Sequence, residues 1–139
     1  MIYYHFETEE FELNTDRVTR WIEKVLVGFK MKTSEVNYIF CDDEYLLDLN
    51  IKYLNHNTLT DIISFDDSQG DEVQGDIFIS VERVRENAQN YEVSFENELH
   101  RVMIHGILHF TGLKDKSEDE ARLMRDEENN ALELLNELN

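Results

Sequence analysis

The order of apolar periods along the 139 residues predicts an α+β (α/β) fold: a single mixed sheet of about four strands packed by about five helices, one of them a buried central helix. Three observations carry that prediction. Strand-like and helix-like segments follow one another as β-α-β-α-β-β-α-α-α, and the early helices can serve as the crossovers that parallel neighbours require. The segment Leu99 to Phe110 is apolar round most of its circumference, which marks a helix buried nearly on all sides. A chain of this length with 41% hydrophobic content can bury one sizeable core, so residues 1–139 are read as one domain.

Each element has its own local reason. Ile2-Tyr-Tyr-His-Phe6 alternates Ile2, Tyr4 and Phe6 against Tyr3 and His5, the period of a strand with one face buried and His5 toward solvent. Asn14 or Thr15 caps a helix with Val18, Trp21, Ile22, Val25 and Phe29 at helical spacing, ending near Gly28 to Lys30. Val36 to Cys41 is a second strand, and Asp42 or Asp43 caps a second helix with Leu46, Leu49 and Tyr53 on its inner face. The polar loop Asn55-His56-Asn57-Thr58 leads to a third strand, Thr60 to Phe65, and an acidic loop with Gly70 leads to a fourth, Gly75 to Ser80. Continuous apolar content at Ile77, Phe78 and Ile79 predicts that this last strand is central and covered on both faces. Ser80 caps a third helix through about Tyr91, Ser94 opens the fourth, and Ser117 with Glu120 forms a capping box for the fifth. That last helix is expected to bury Leu123, Met124, Ala131, Leu135 and Leu138.

Composition narrows the setting. No apolar run approaches the length of a membrane span and the N-terminus lacks a secretory layout, so a soluble, cytoplasmic protein is expected. The lone cysteine, Cys41, has no internal disulfide partner and reads as a small core residue. A net charge of −18 opposes broad nucleic-acid binding, so any contact with a polyanion must be local. Arg101, Lys114, Lys116, Arg122 and Arg125 cluster on or just after the buried helix and make that region less acidic than the whole.

The chemistry gathers on the polar stripe of that helix, which carries Glu98, Arg101, His105 and His109, with Gly112 on the same line. Two histidines four apart stack on one helix face and can reach a single ion. Gly112 suits a left-handed stop, after which Asp115 can fold back toward both rings. His105, His109 and Asp115 thus form His-x3-His-x5-Asp, the ligand set of a Zn²⁺-type site with one position for water, and the central helix is read as a metal-binding helix. A single buried histidine is ordinarily a core residue bonded to a carbonyl, and an aspartate flanked by two lysines is ordinarily solvated; the combined spacing favours the metal. In zinc peptidases on a similar helix, the residue after the first histidine is a glutamate general base, whereas here it is Gly106, which disfavours a metallopeptidase.

His105-Gly-Ile-Leu-His109-x-x-Gly112 resembles the His-Gly-x-Leu-His-x-x-Gly signature of the YbeY family of metal-dependent endoribonucleases, also described as rRNA maturation factors. Upstream, Thr60-Asp-Ile-Ile-Ser-Phe65 is similar to that family's Thr-Asp-Val-Leu-Ser-Phe segment, Gly75-Asp-Ile-Phe-Ile resembles its Gly-Asp-Ile-x-Ile strand, and Leu49-Asn50 and Glu98-Leu-His-Arg101 precede their motifs in the same manner. Two positions depart. The family usually closes its signature with a third histidine where this chain has Asp115, and it commonly carries an arginine after the Leu-Asn pair where this chain has Leu54.

The resemblance implies a zinc-dependent endoribonuclease that prefers single strands, acts on ribosomal RNA at the 3′ end of the small-subunit species, serves ribosome quality control and meets the ribosome as its partner. It implies about one Zn²⁺ per chain, held by His105, His109 and Asp115 as the groups that activate water. Asp61, Ser64 and Arg101 are the substrate-side candidates, and His56 or a nearby lysine is the candidate to replace the missing arginine. The alternative is a non-catalytic ribosome-assembly factor with a structural zinc.

Overall fold

The computed structural model describes residues 1–138. The elements follow the expected order: β1 (Ile2–Phe6), α1 (Thr15–Gly28), β2 (Lys32–Cys41), α2 (Asp43–Leu54), β3 (Ile62–Asp66), β4 (Glu72–Ser80), α3 (Val81–Asn90), α4 (Phe95–Phe110) and α5 (Glu118–Glu137). The caps are those of the sequence reading. Asn14, Asp42, Ser80, Ser94 and Ser117 each accept a hydrogen bond from an early backbone N–H of the helix they open, and Ser117 with Glu120 completes the capping box.

The sheet runs β1-β2-β4-β3, with β1, β2 and β4 parallel and β3 antiparallel to β4 along the edge. β4 is an inner strand, as its apolar run predicts. Ile77 and Ile79 are fully buried in the main core, while the Phe78 ring stands on the other face between those of Tyr45 and Phe65, under α2. β2 and β4 are longer than their apolar runs because Lys32 and Thr33 pair with Glu72 and Val73. Backbone bonding carries a ladder through polar side chains that hydropathy patterning does not register. The register slips between Thr33 and Val36, a bulge in β2 opposite the step from Val73 to Gly75.

The main core lies between one sheet face and α1, α4 and α5. Trp21 is wholly buried and its Nε1–H donates to the Ala131 carbonyl at 2.7 Å, joining α1 to α5. Tyr38 is equally buried and its hydroxyl donates to the Met103 carbonyl at 2.8 Å, joining β2 to α4. Gly106 lets α4 press on the sheet: a Cβ there would stand 3.0 Å from Ile77 Cδ1 and 3.1 Å from Ile62 Cδ1. A smaller cluster of Cys41, Leu46 and Ile63 lies under α2. Burial pushes the Cys41 thiol up to about 12, with Asp42, Asp43 and Glu7 adding to the effect, so it remains a protonated core group.

Two inner-face assignments are corrected. Tyr53 is 57% exposed and only rests edge-on against the Phe65 ring, near the C-terminal end of α2. Leu123 is 49% exposed, since the buried line of α5 runs through Met124, Glu128, Ala131 and Leu135 instead. Leu138 packs against the core just beyond the end of α5.

Gly75 is the tightest point of the sheet. A Cβ there would meet the Phe65 carbonyl oxygen at 2.2 Å and the Phe110 ring at 2.9 Å, and the backbone oxygen cannot step aside. Gly75→Ala is expected to destabilise by about 3 kcal/mol, the upper part of the overpacking range, as measured by urea unfolding. A second constraint sits where α2, β4 and α3 meet. Arg83 donates to both Asp43 oxygens and the Ser80 hydroxyl donates to Asp43 Oδ1 at 2.7 Å. The Arg83 guanidinium holds the Asp43 carboxyl below the usual carboxylate range against the opposing effect of burial, with Ser80 helping. A depressed folded value means that the stabilisation is complete above the unfolded value of about 4 and vanishes as pH falls through the folded one. The melting-temperature gap between wild type and Asp43→Asn should therefore be widest near neutrality and close in acid.

Candidate metal centre

α4 buries ten of its sixteen residues, and the half-exposed Arg101, His105 and His109 share the remaining edge. The helix ends at Thr111, whose hydroxyl donates to the Leu108 carbonyl at 2.6 Å. Gly112 then takes φ +107 with its N–H on the His109 carbonyl. This is the left-handed stop expected at Gly112. The turn delivers Asp115 to the histidines, and the capping box at Ser117 fixes the chain just beyond it.

His105 Nε2 and His109 Nε2 lie 3.0 Å apart, and Asp115 Oδ2 is 3.3 Å from each. Each ring is aimed by its other nitrogen. His105 Nδ1 meets Glu128 Oε2 at 2.7 Å, and His109 Nδ1 donates to the Leu113 carbonyl at 3.0 Å. With the Nδ1 protons engaged by a carboxylate and a carbonyl, both Nε2 lone pairs point inward beside a carboxylate oxygen. Three electron-rich atoms converging in this way call for a cation, and two imidazoles with one carboxylate are a donor set suited to zinc. The residues present fit the group on the chemistry of their atoms.

Glu128 is the residue that the sequence reading missed. It is 6% exposed, and Oε1 accepts from Arg101 at 2.9 Å while Oε2 holds His105. Burial alone would raise its carboxyl; the His105 and Arg101 hydrogen bonds outweigh that and keep it below the ordinary glutamate range. The His105 imidazole, for which burial acts downward, is raised by the same Glu128 bond, with Asp115 and Asp61 adding to it. The available signal was a lone acid at an inner position of α5, in line with Met124, Ala131 and Leu135.

The substrate-side candidates reach the same place with different freedom. Two pockets, of about 290 Å³ and about 780 Å³, share Asp61, Ile62, His105 and Asp115 as their common wall, so two of the three candidate ligand residues stand where they join and His109 lines the larger one. Ser64 lines the larger pocket and Arg101 the smaller, but the Arg101 guanidinium is already engaged by Glu128 and by Asn129 Oδ1 at 2.9 Å. Burial pushes the Asp61 carboxyl above its usual range, with its own backbone N–H and His105 opposing. Leu54 lies in the wall of the larger pocket with Lys114 and Lys116, while His56 is exposed and is not among that pocket's lining residues. The lysines therefore supply the positive charge on that side. Gly106 faces the sheet rather than the ligands, so a peptidase-type glutamate at this position would have no room.

Fold and site together define a class: α+β proteins with two histidines from a buried helix and a carboxylate from the following turn, set in an open cleft. Comparison with known proteins narrows it. The family model for endoribonuclease YbeY matches residues 3–136, and the chain belongs to that family. An endoribonuclease YbeY of Flavobacterium johnsoniae is 56% identical over 128 residues, covering 92% of each chain. That of Bacteroides thetaiotaomicron is 44% identical over 121 residues, covering 87% of this chain and 88% of its own. A Thermotoga maritima protein solved in solution shares the fold with a TM-score of 0.70 at 24% identity, covering 97% of this chain and 89% of its own.

Loss of a carboxylate behind a ligating imidazole lowers metal affinity by about 10- to 100-fold. Glu128→Ala should show that loss in a competitive chelator titration.

Proposed function

We propose that the chain acts as one endoribonuclease domain, holding Zn²⁺ on His105, His109 and Asp115 and cutting single-stranded RNA during 3′-end maturation of small-subunit ribosomal RNA and in ribosome quality control. Family membership supports the reaction class, and the convergence of the three ligand atoms within 3.0–3.3 Å carries the metal assignment. The ligands favour a catalytic rather than a closed structural ion: His109 and Asp115 side chains are 30% and 40% exposed at the cleft. When bound, zinc supplies Lewis-acid chemistry, acidifying water and stabilising charge on a phosphoryl oxygen.

The chain's own groups do the rest. Glu128 and the Leu113 carbonyl hold the two imidazoles in one orientation, so no reorganisation is needed as charge develops. Lys114 and Lys116 on the cleft wall attract the phosphate backbone locally on a chain whose net charge repels it. Asp61 and Ser64 line the path beside the reacting phosphate. Helices that could cross a membrane are absent among the described residues, and we propose a cytoplasmic setting with the ribosome as partner.

A second reading, an assembly factor with a structural zinc, draws on Leu54, which puts an aliphatic side chain in the cleft wall where the family resemblance implies an arginine. Metal analysis and a cleavage assay on single-stranded RNA separate the two. Wild type should carry about one zinc per chain and cut, and His109→Ala should lose both. Zinc retained by a wild-type protein that leaves every RNA intact supports the second reading.

A further inference from the structure

The smaller pocket extends from the ligand atoms along α4 toward its N-terminal end, and the reaction as described above gives it no task. Its walls are Asp61, Tyr91, Glu98, Arg101, Val102 and Arg125, around a volume of about 290 Å³. Tyr91, at the end of α3, is 62% exposed there. Glu98 is 5% exposed, lines the pocket, and makes no side-chain hydrogen bond or ion pair among the described residues. Arg101, one turn along the same helix, turns to Glu128 and Asn129 instead. Seven residues separate Glu98 from His105, roughly 10 Å along the helix axis, the reach of a neighbouring nucleotide on a strand lying across the ligands.

We infer that this pocket is a nucleobase subsite for guanine, in which Tyr91 offers a stacking face and the buried Glu98 carboxyl receives the base's paired N–H donors. The inference rests on the endoribonuclease reading and names the sequence preference that such an enzyme would show.

The chemistry is specific to a donor-rich edge. A carboxylate has only acceptors, and of the four RNA bases guanine alone presents an adjacent ring N–H and amino group that both oxygens of one carboxylate can take together. A uracil edge would set carbonyl oxygens against Glu98. Burial, followed by the charge of Asp61, pushes the Glu98 carboxyl above its ordinary range, with Arg101 and Arg125 opposing; a group in that state gains from donors that the protein does not provide. An exposed tyrosine beside a cleft is a stacking surface of the kind that single-stranded RNA uses, and stacking tolerates any base, so selectivity falls to Glu98. The volume suits one base and not a stacked run.

The test uses RNA oligonucleotides of randomised sequence, with cut positions mapped by sequencing, and guanosine and inosine monophosphates as binding probes followed by amide chemical shifts. Wild type should show guanine enriched at one fixed offset from the cut. Replacing that guanine by inosine, which lacks the amino group, should lower kcat/KM roughly tenfold, the factor for one hydrogen bond to a charged group. In the isosteric Glu98→Gln the guanine-to-inosine ratio should fall to near unity, and Tyr91→Ala should weaken binding of both nucleotides alike. Cleavage with no base preference, or a preference retained in Glu98→Gln, would overturn the inference. Guanosine monophosphate shifting Tyr91, Glu98 and Val102 amides in a protein that cuts no RNA would uphold the pocket and sink the cleavage reading; no shift with either nucleotide would sink the pocket.

Discussion

A helix packed on nearly every side has one edge left for chemistry, and the position of that edge depends on how deeply the helix is set. α4 is set by Tyr38 bonding its backbone from β2 and by Gly106 lying against Ile62 and Ile77. The core therefore determines the angle at which His105 and His109 face outward, and their separation follows from the helix itself. A surface helix with the same two histidines could roll or fray, and the fixed donor geometry would be lost.

Charge is arranged on the same principle of local exception. The molecule carries −18 overall, yet Lys114, Lys116, Arg101 and Arg125 all line the two pockets that meet at the ligands. Among them, Arg101 is held by Glu128 and Asn129 while the lysines have no hydrogen bond or ion pair among the described residues. The arginine thus steadies the carboxylate that steadies His105, and the exposed lysines line the cleft. The same walls also carry Asp61, Asp66, Glu98, Asp115 and Glu128, so the cations stand among carboxylates and any attraction for a polyanion is confined to individual side chains.

Most of the architecture was legible because its signals are local. The element order, five cap residues, the inner placement of β4 and the His-x3-His-x5-Asp convergence all follow from periods and turn chemistry within about a dozen residues. What escaped depends on distant partners. The polar starts of β2 and β4 form strand only because they face each other across the ladder. Tyr53 and Leu123 have helical spacing, but nothing packs over them closely enough to bury either. Glu128 lies 23 positions from His105 in the chain, and only the fold makes them neighbours at 2.7 Å.

The bend after α4 performs two tasks at once. Its Leu113 carbonyl orients the His109 ring, and two residues further on it brings Asp115 Oδ2 to 3.3 Å from both imidazoles. Insertion or deletion of a single residue here would disturb a ligand and the support of its neighbour together, with no intermediate arrangement that preserves one of them. Side chains in this bend can thus be exchanged far more readily than its length can be changed.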